Sequence, residues 1–306
     1  MSWVIVAIVG LVVVTQATGW TGTTTVAIAQ SLTPYLALAV VPVVLLALWR
    51  GCLLLVTVST AVTFGIAVLG TPLAFPDPAA PPAARSTGLR VASANLWFEN
   101  TRIGEVDDAL ARLDADVIVL SEYTPEHQAA LQASPLADDY EFRTDRSGPF
   151  ADGIAVWSRL PIQVDGELDT YYGSLDVTVA GPDGDVRIVA MHVPTPLVDI
   201  DGWHRDLRTA EEVGRSVAGR TLLIGDLNAS FWHPDFRRLL DAGFADANAI
   251  HGTGFSPSWP TTWVVPPFVR LDHALTAGGL VSTDVEDVDI PGSDHLGLVV
   301  TVAPAR

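Results

Sequence analysis

Lysine is absent from the 306 residues, so all 17 basic side chains are arginine. A replacement that uniform reflects a coding bias, consistent with a GC-rich genome, rather than local chemistry. Cysteine occurs once, as Cys52 in an apolar stretch. The polar part of the chain therefore has no disulfide and no thiolate metal site, which leaves the compartment open. Charge of either sign is missing from Met1 through Trp49; Arg50 is the first charged residue and Asp77 the next acidic one. Basic charge is scarce overall, with a formal net charge of -18. That balance argues against a nucleic-acid groove, which needs clustered positive charge to displace counterions.

What is abundant is apolar surface. Hydrophobic residues make up 49% of the chain and the mean hydropathy is +0.35, too apolar for an ordinary soluble enzyme of this length. Three stretches, about Trp3–Gly19, Val26–Trp49 and Leu53–Phe75, each approach the roughly 20 helical residues that cross a bilayer. Residues 1–75 thus read as a membrane anchor of three transmembrane helices. A cleaved signal peptide is disfavoured because the first stretch lacks a positive n-region and two more spans follow. Arg50, between the second and third spans, belongs in the cytoplasm by the positive-inside rule, which puts everything after Phe75 outside the cell membrane. Arg85 pulls the other way, more weakly. Residues 76–87 are Pro- and Ala-rich and read as a semi-rigid polyproline II linker, about 3.1 Å per residue.

Residues 88–306 have an α/β texture. Strand-length apolar runs are Leu89–Ala94, Val117–Leu120, Gly153–Trp157, Leu175–Val179, Val186–Met191, Thr221–Ile224, Leu271–Leu275 and Leu296–Val302. Leu207, Ala210, Val213 and Val217 recur at helical spacing within Trp203–Arg220. Pro182-Asp183-Gly184 between two runs marks a hairpin. Strands outnumber helices, and antiparallel pairing excludes a plain doubly wound sheet. Two packed, mostly antiparallel sheets with helices outside fit better.

Polar residues recur where these runs end. Asn95, Glu122, His192 and the Asp226/Asn228 pair follow four of them; Asp272 opens a fifth, and Asp294-His295 precedes the last. One aspartate after a strand is ordinarily a turn or cap, but turn chemistry does not account for six such placements. On these residues, and most specifically on Gly225-Asp226-Leu227-Asn228 and Ser293-Asp294-His295, with support from Leu120-Ser121-Glu122 and Arg270-Leu271-Asp272-His273, the chain resembles the endonuclease/exonuclease/phosphatase superfamily from about Leu89 to Ala303.

The resemblance implies a four-layered, DNase I-like α/β sandwich and Mg²⁺- or Mn²⁺-dependent attack of water on a phosphate ester. It implies that Asn95 and Glu122 are metal ligands, with Asp294 near the same ion. Asp226 and Asn228 are expected to position the attacking water or leaving group, His192 to contact phosphate, and Asp272 to orient His295. Whether Asp226 or His295 takes the water proton stays open, the Asp272–His295 pair being the expected base. Mg²⁺ takes hard oxygen ligands and keeps several waters, so one carboxylate and one amide suffice.

His127, His204, His233, His251, His273 and Arg159 are expected to be structural. Asn100, Arg143 and Arg146 are candidate phosphate contacts whose ordinary role is in solvated loops. Trp203, Phe231, Trp232, Trp259 and Trp263 fall in or beside active-site loops, where apolar rings would suit a lipid substrate. Three spans before so short a domain resemble the VanJ-type branch, which implies an undecaprenyl pyrophosphate-type lipid as substrate at the outer face. The alternatives are an extracytoplasmic nuclease or phosphodiesterase, and a non-catalytic membrane-tethered binding domain. The complete residue set argues against the last.

Overall fold

A computed structural model describes residues 2–75 and 88–305; the expected linker lies outside the described residues. Apolar runs with polar residues at their ends become strands β1 (Leu89–Asn95), β2 (Val117–Ser121), β3 (Phe142–Ser147), β4 (Gly153–Ser158), β5 (Ile162–Gly166), β6 (Ser174–Val179), β7 (Val186–His192), β8 (Thr221–Asp226), β9 (Ala245–Asp246), β10 (Asp272–Ala277), β11 (Leu280–Asp289) and β12 (Leu296–Pro304). They form two six-stranded sheets, ordered β11-β12-β1-β2-β4-β3 and β5-β6-β7-β8-β10-β9. Pairing is antiparallel except between β1 and β2 and between β7 and β8. All eight expected strands are present, and the expected hairpin joins β6 to β7 with Val179 opposite Val186.

Alternate residues of both sheets, among them Val91, Val119, Val177, Ile188, Ile224 and Val300, interdigitate in a buried core between the sheets. The other faces are covered by helices, as strands buried on both sides require. The N-terminal part of the chain forms helices α1 (Ser2–Ala17), α2 (Thr24–Ser31), α3 (Thr33–Trp49), α4 (Leu53–Leu69) and α5 (Thr71–Ala74). Helices α6 (Ile103–Arg112), α7 (Pro125–Gln132) and α8 (Leu136–Asp139) cover the first sheet through Val106, Leu110, Leu131 and Leu136. Helices α9 (Ile200–Arg215) and α10 (Pro234–Asp241) cover the second, and α11 (Ala247–Ile250) sits beside β9. The result is a DNase I-like α/β sandwich of two mixed sheets flanked by helices.

The N-terminal third departs from the expected three spans. No single helix among the described residues is long and apolar enough to cross a membrane. Helix α1 has 16 residues and α4 has 17, about 24–26 Å of helix against a hydrocarbon core of about 30 Å. The expected second span is two helices, α2 and α3, bent by 69° at Leu32, and only together do they pass the length and composition test. The cause is legible in Pro34. It has no N–H to continue the preceding helix, and its place in the first turn of α3 is one a proline tolerates. A buried polar network fills the bend. Gln30 donates to Thr15 and to the Trp20 carbonyl and accepts from Thr21, while Gln16 donates to Thr33.

These helices do not stand apart from the sandwich. Val9, Val40, Ile66 and Leu73 share one buried cluster with Trp203, Leu207, Phe231, Trp232 and Phe236. Polar contacts pin the same junction. Thr24 donates to the Pro196 carbonyl at 2.9 Å, Tyr35 to the Phe268 carbonyl at 2.9 Å and Arg237 to the Gln16 carbonyl at 3.1 Å.

Candidate active site

Strand direction assembles the site. Because β1 and β2 run parallel, as do β7 and β8, their C-terminal ends open on the same side, with Asn95 opposite Ser121 and His192 opposite Asp226. Antiparallel β10 brings its first residue, Asp272, opposite Asp226. Strand β12, antiparallel to β1, starts at Leu296 and so delivers Asp294 and His295 to the same end. Backbone geometry at these ends is unusual. Glu122 and Asn228 hold φ of 53° and 45°, left-handed conformations that cost about 1–3 kcal/mol in non-glycine residues. Gly225 is required beside Asp226, since a Cβ there would lie 2.0 Å from the Met191 carbonyl oxygen of β7.

Asn95 ties two carboxylates together, its amide donating to Glu122 at 3.0 Å and to Asp226 at 3.1 Å. The Trp97 N–H, which can only donate, bonds Asn95 Oδ1 at 2.9 Å, so the NH₂ end must face the carboxylates. The resemblance implied an oxygen ligand at Asn95; its Oδ1 accepts one bond, from the Trp97 N–H of its own loop, which leaves a second lone pair. Glu122 accepts a second bond from the Phe98 N–H at 2.9 Å. Asn228 donates from its backbone to Asp226 Oδ1 at 2.9 Å and from its side chain to the Val193 carbonyl at 3.0 Å.

His295 pairs through Nδ1 with Asp272 at 2.8 Å, and its Nε2 lies 3.7 Å from Asp226 Oδ2. His192 Nδ1 bonds the Ala151 carbonyl at 3.1 Å, leaving Nε2 3.6 Å from that same Asp226 oxygen. Tyr172 stacks on His192 with ring centroids 4.8 Å apart.

These groups set one another's proton affinity. Burial, reinforced by the Asp272 charge, raises the Asp226 carboxyl to about 6, with the two histidines pulling the other way. For His295 burial opposes the cation, but the Asp272 and Asp226 charges outweigh it and lift the imidazole to about 10. Asp272 is held below the usual carboxylate range: burial works against its charged form and His295 more than offsets it. The arrangement therefore favours the protonated form of His295 and holds the Asp226 carboxyl above the usual range.

The residues present fit a divalent cation. Asp294 Oδ2 accepts from Trp259 Nε1 at 3.1 Å, while its Oδ1 is buried without any hydrogen-bond partner. Burial raises the Asp294 carboxyl, and the nearby Glu122 charge raises it further. A buried carboxylate oxygen without a partner, within the field of a second carboxylate, is what a hard cation satisfies. Asp226, Asp272 and His295 also place ligand atoms within 4.8 Å of one another, a second group that could hold a metal ion.

Other expectations resolve into packing. Arg143 bonds the Tyr140 and Ala137 carbonyls and lies over the Trp157 ring, Arg146 pairs with Asp152, and Asn100 bonds the Leu96 and Pro291 carbonyls. None of the three lines the cleft. Arg159 pairs with Asp114, and His127 caps α7 with Thr124. His273 bonds the Ala229 carbonyl. Trp203 is buried, donating to the Asn228 carbonyl. Phe231 and Trp232 are buried under the N-terminal helices, whereas Trp263 is 55% exposed.

The site opens into a cleft of about 490 Å³. Glu122, His192, Asp226, Asn228, Asp294 and His295 form its floor, and no arginine among the described residues lines it. Its walls include Ala27, Ile28, Ser31 and Leu32. Reading residues 1–75 as an anchor concealed these four; Pro34, breaking the apolar run, was the available signal. Tyr172 was missed with no local signal to find it.

A sandwich whose parallel strand pairs aim carboxylates, amides and histidines into one cleft defines the class of enzymes that cleave phosphate esters. The chain belongs to the Endonuclease/Exonuclease/phosphatase family, whose model matches residues 92–295. Among curated proteins none matches the chain. Solved structures share the fold. D. rerio TDP2 complexed with a single-strand DNA product superposes with a TM-score of 0.61 at 16% identity, covering 71% of this chain and 100% of that one. The endonuclease/exonuclease/phosphatase from Beutenbergia cavernae DSM 12333 gives 0.55 at 22%, covering 71% and 72%. The 3' phosphatase NExo from Neisseria bound to a product DNA hairpin gives 0.53 at 17%, covering 70% and 99%. Two of these hold DNA, so the fold itself does not disfavour nucleic acid as the acidic composition did.

Proposed function

We propose that this protein is a membrane-associated, divalent-metal-dependent phosphoesterase whose substrate is a phosphorylated lipid, with a polyprenyl pyrophosphate of the undecaprenyl type as the leading candidate. The reading places the domain at the outer face of the cell membrane, following the Arg50 orientation argument and the VanJ-type resemblance. One observation carries it: the catalytic floor and a largely apolar wall belong to the same cleft, which no arginine among the described residues lines. A polyanion needs cations along its path, while a lipid head group brings one small cluster of charge.

Glu122 and Asp294 are the proposed metal ligands, with Asn95 holding Glu122 in place. The ion, Mg²⁺ or Mn²⁺, would offset charge on the phosphate oxygens when bound. Asp226, in place of the expected Asp272–His295 pair, is assigned the water proton, because burial raises its carboxyl to about 6 and Asn228 and Asn95 fix its orientation. His295 is assigned the phosphate, because its pairing with Asp272 keeps it cationic. His192, held by the Ala151 carbonyl and stacked on Tyr172, offers Nε2 as a second phosphate contact.

The test is phosphate release by the full chain in detergent with Mg²⁺, from a polyprenyl pyrophosphate, a phospholipid, a nucleotide and plasmid DNA. Faster turnover of the lipid pyrophosphate than of DNA is expected. Efficient DNA cleavage without lipid hydrolysis makes the tethered nuclease, the second reading favoured by the DNA-bound neighbours, the correct one.

A further inference from the structure

We propose that the N-terminal helices are part of the substrate site, and that the α2–α3 elbow seats the hydrocarbon tail of a lipid phosphate ester. This rests on the phosphoesterase reading above and extends it from the head group to the tail.

The cleft has three walls of different origin. Ile28 and Leu32 come from the elbow, Leu197 and Val198 from the loop after β7, and Trp263 and Phe268 from the loop before β10. All six are apolar, and all line the cavity that has Asp226 and His295 on its floor. At about 490 Å³ it falls in the usual range for a small-molecule site, roughly 300–1,000 Å³. Ile28, Leu197, Val198 and Trp263 are also 40–66% exposed. Apolar groups left open around a charged floor suit a ligand with a hydrocarbon part and a charged end, and exposed apolar patches of this kind mark binding surfaces.

The elbow is fixed where it can serve as a wall. Thr24 bonds the Pro196 carbonyl and Tyr35 the Phe268 carbonyl, so both cleft loops are tied to the helices on either side of the bend. His233 Nε2 bonds the Ala27 carbonyl at 2.9 Å, and His204 Nε2 the Thr21 carbonyl at 2.9 Å. A segment serving only as a tether has no need of four polar contacts to the loops and helices around a catalytic cleft. Leu38, Val41 and Leu45 add exposed apolar surface on α3, the helix that follows the elbow.

The experiment compares hydrolysis of butyl and dodecyl pyrophosphate by the full chain in detergent. Wild type is expected to prefer the dodecyl ester in kcat/KM. Leu32→Gln and Leu197→Ser are each expected to lower that preference by about tenfold, the scale of removing one buried aliphatic contact. Leu197 lies on an exposed loop, so its variant separates tail recognition from folding, which thermal melts of both variants check. Val164→Asn, on the remote edge strand β5, is expected to keep the wild-type preference. An unchanged preference in both cleft variants overturns the proposal. If the wild type hydrolyses neither ester, the phosphoesterase reading fails separately. Binding of dodecyl phosphonate, read by Trp263 fluorescence against a Trp263→Phe control, then decides the elbow: weaker binding in Leu197→Ser supports it and equal binding refutes it.

Discussion

Asp226 receives bonds from Asn95 and Asn228 and faces two histidines within 3.7 Å. No single neighbour sets its behaviour, so replacing it removes a proton acceptor without dismantling the pocket. Asp226→Asn is expected to lower kcat about 10²–10⁴-fold with a smaller change in KM, measured at saturating Mg²⁺. Asp272→Asn is expected to act at one remove: the imidazole loses its countercharge, and kcat falls while circular dichroism stays that of wild type. Full activity in either variant would reassign the pair to structure. Glu122→Gln keeps shape and loses charge, so the Mg²⁺ concentration for half-maximal activity is expected to rise at least about tenfold. Wild-type activity that survives exhaustive chelation would falsify the metal assignment.

The clamps between the N-terminal helices and the sandwich make a different kind of prediction. His204 bonds Asp235 through Nδ1 and the Thr21 carbonyl through Nε2, which uses both N–H groups of an imidazolium. The Asp235 hydrogen bond raises it above 6.5, against burial and the opposing Arg208. A histidine raised in the folded state stabilises fully below about 6.5, and that contribution is lost as pH climbs through the raised value. His233 behaves oppositely. Burial lowers it to about 4, with the Ala27 carbonyl and Asp235 favouring the cation and Arg237 opposing it. The folded chain keeps it neutral while the unfolded chain protonates it, so stability falls as pH drops from about 6.5 toward 4. Together they predict greatest stability of this junction near pH 6.5. In urea melts across pH, His204→Asn is expected to flatten the alkaline side and His233→Asn the acidic side. Trp232, buried beneath the same helices against Phe231 and Phe255, is expected to lose about 3–5 kcal/mol of stability on replacement by alanine. It should do so without selective loss of lipid turnover, whereas Trp263→Ala should affect lipid turnover selectively.

Orientation in the cell is a property of the whole chain. Gln163 lies exposed on edge strand β5, and Cys52 is the one native thiol. In a Cys52→Ser background, Gln163→Cys is expected to react with a membrane-impermeant thiol reagent on intact cells. Labelling that appears only after lysis would place the domain in the cytoplasm.

The eight central strands and the polar residues at their ends were legible in the sequence because both signals are local. A strand buried on two faces must be apolar throughout, and a cleft residue at its end interrupts that run. The four strands that sequence reading missed, β3, β5, β9 and β11, are the four sheet edges. An edge strand such as Phe-Arg-Thr-Asp-Arg-Ser of β3 keeps charged residues because one side has no neighbour, so its apolar pattern dissolves.

Hydropathy marked the first 75 residues as apolar but could not say against what they pack. Pro34 breaks the second run locally, yet its consequence, an elbow seated on loops more than 160 residues away, is tertiary. The orientation of Asn95 and the raised proton affinities of Asp226 and His295 are tertiary too. Each is a sum of burial and charge contributed by residues from β1, β8, β10 and the segment before β12, and only the folded chain performs that sum.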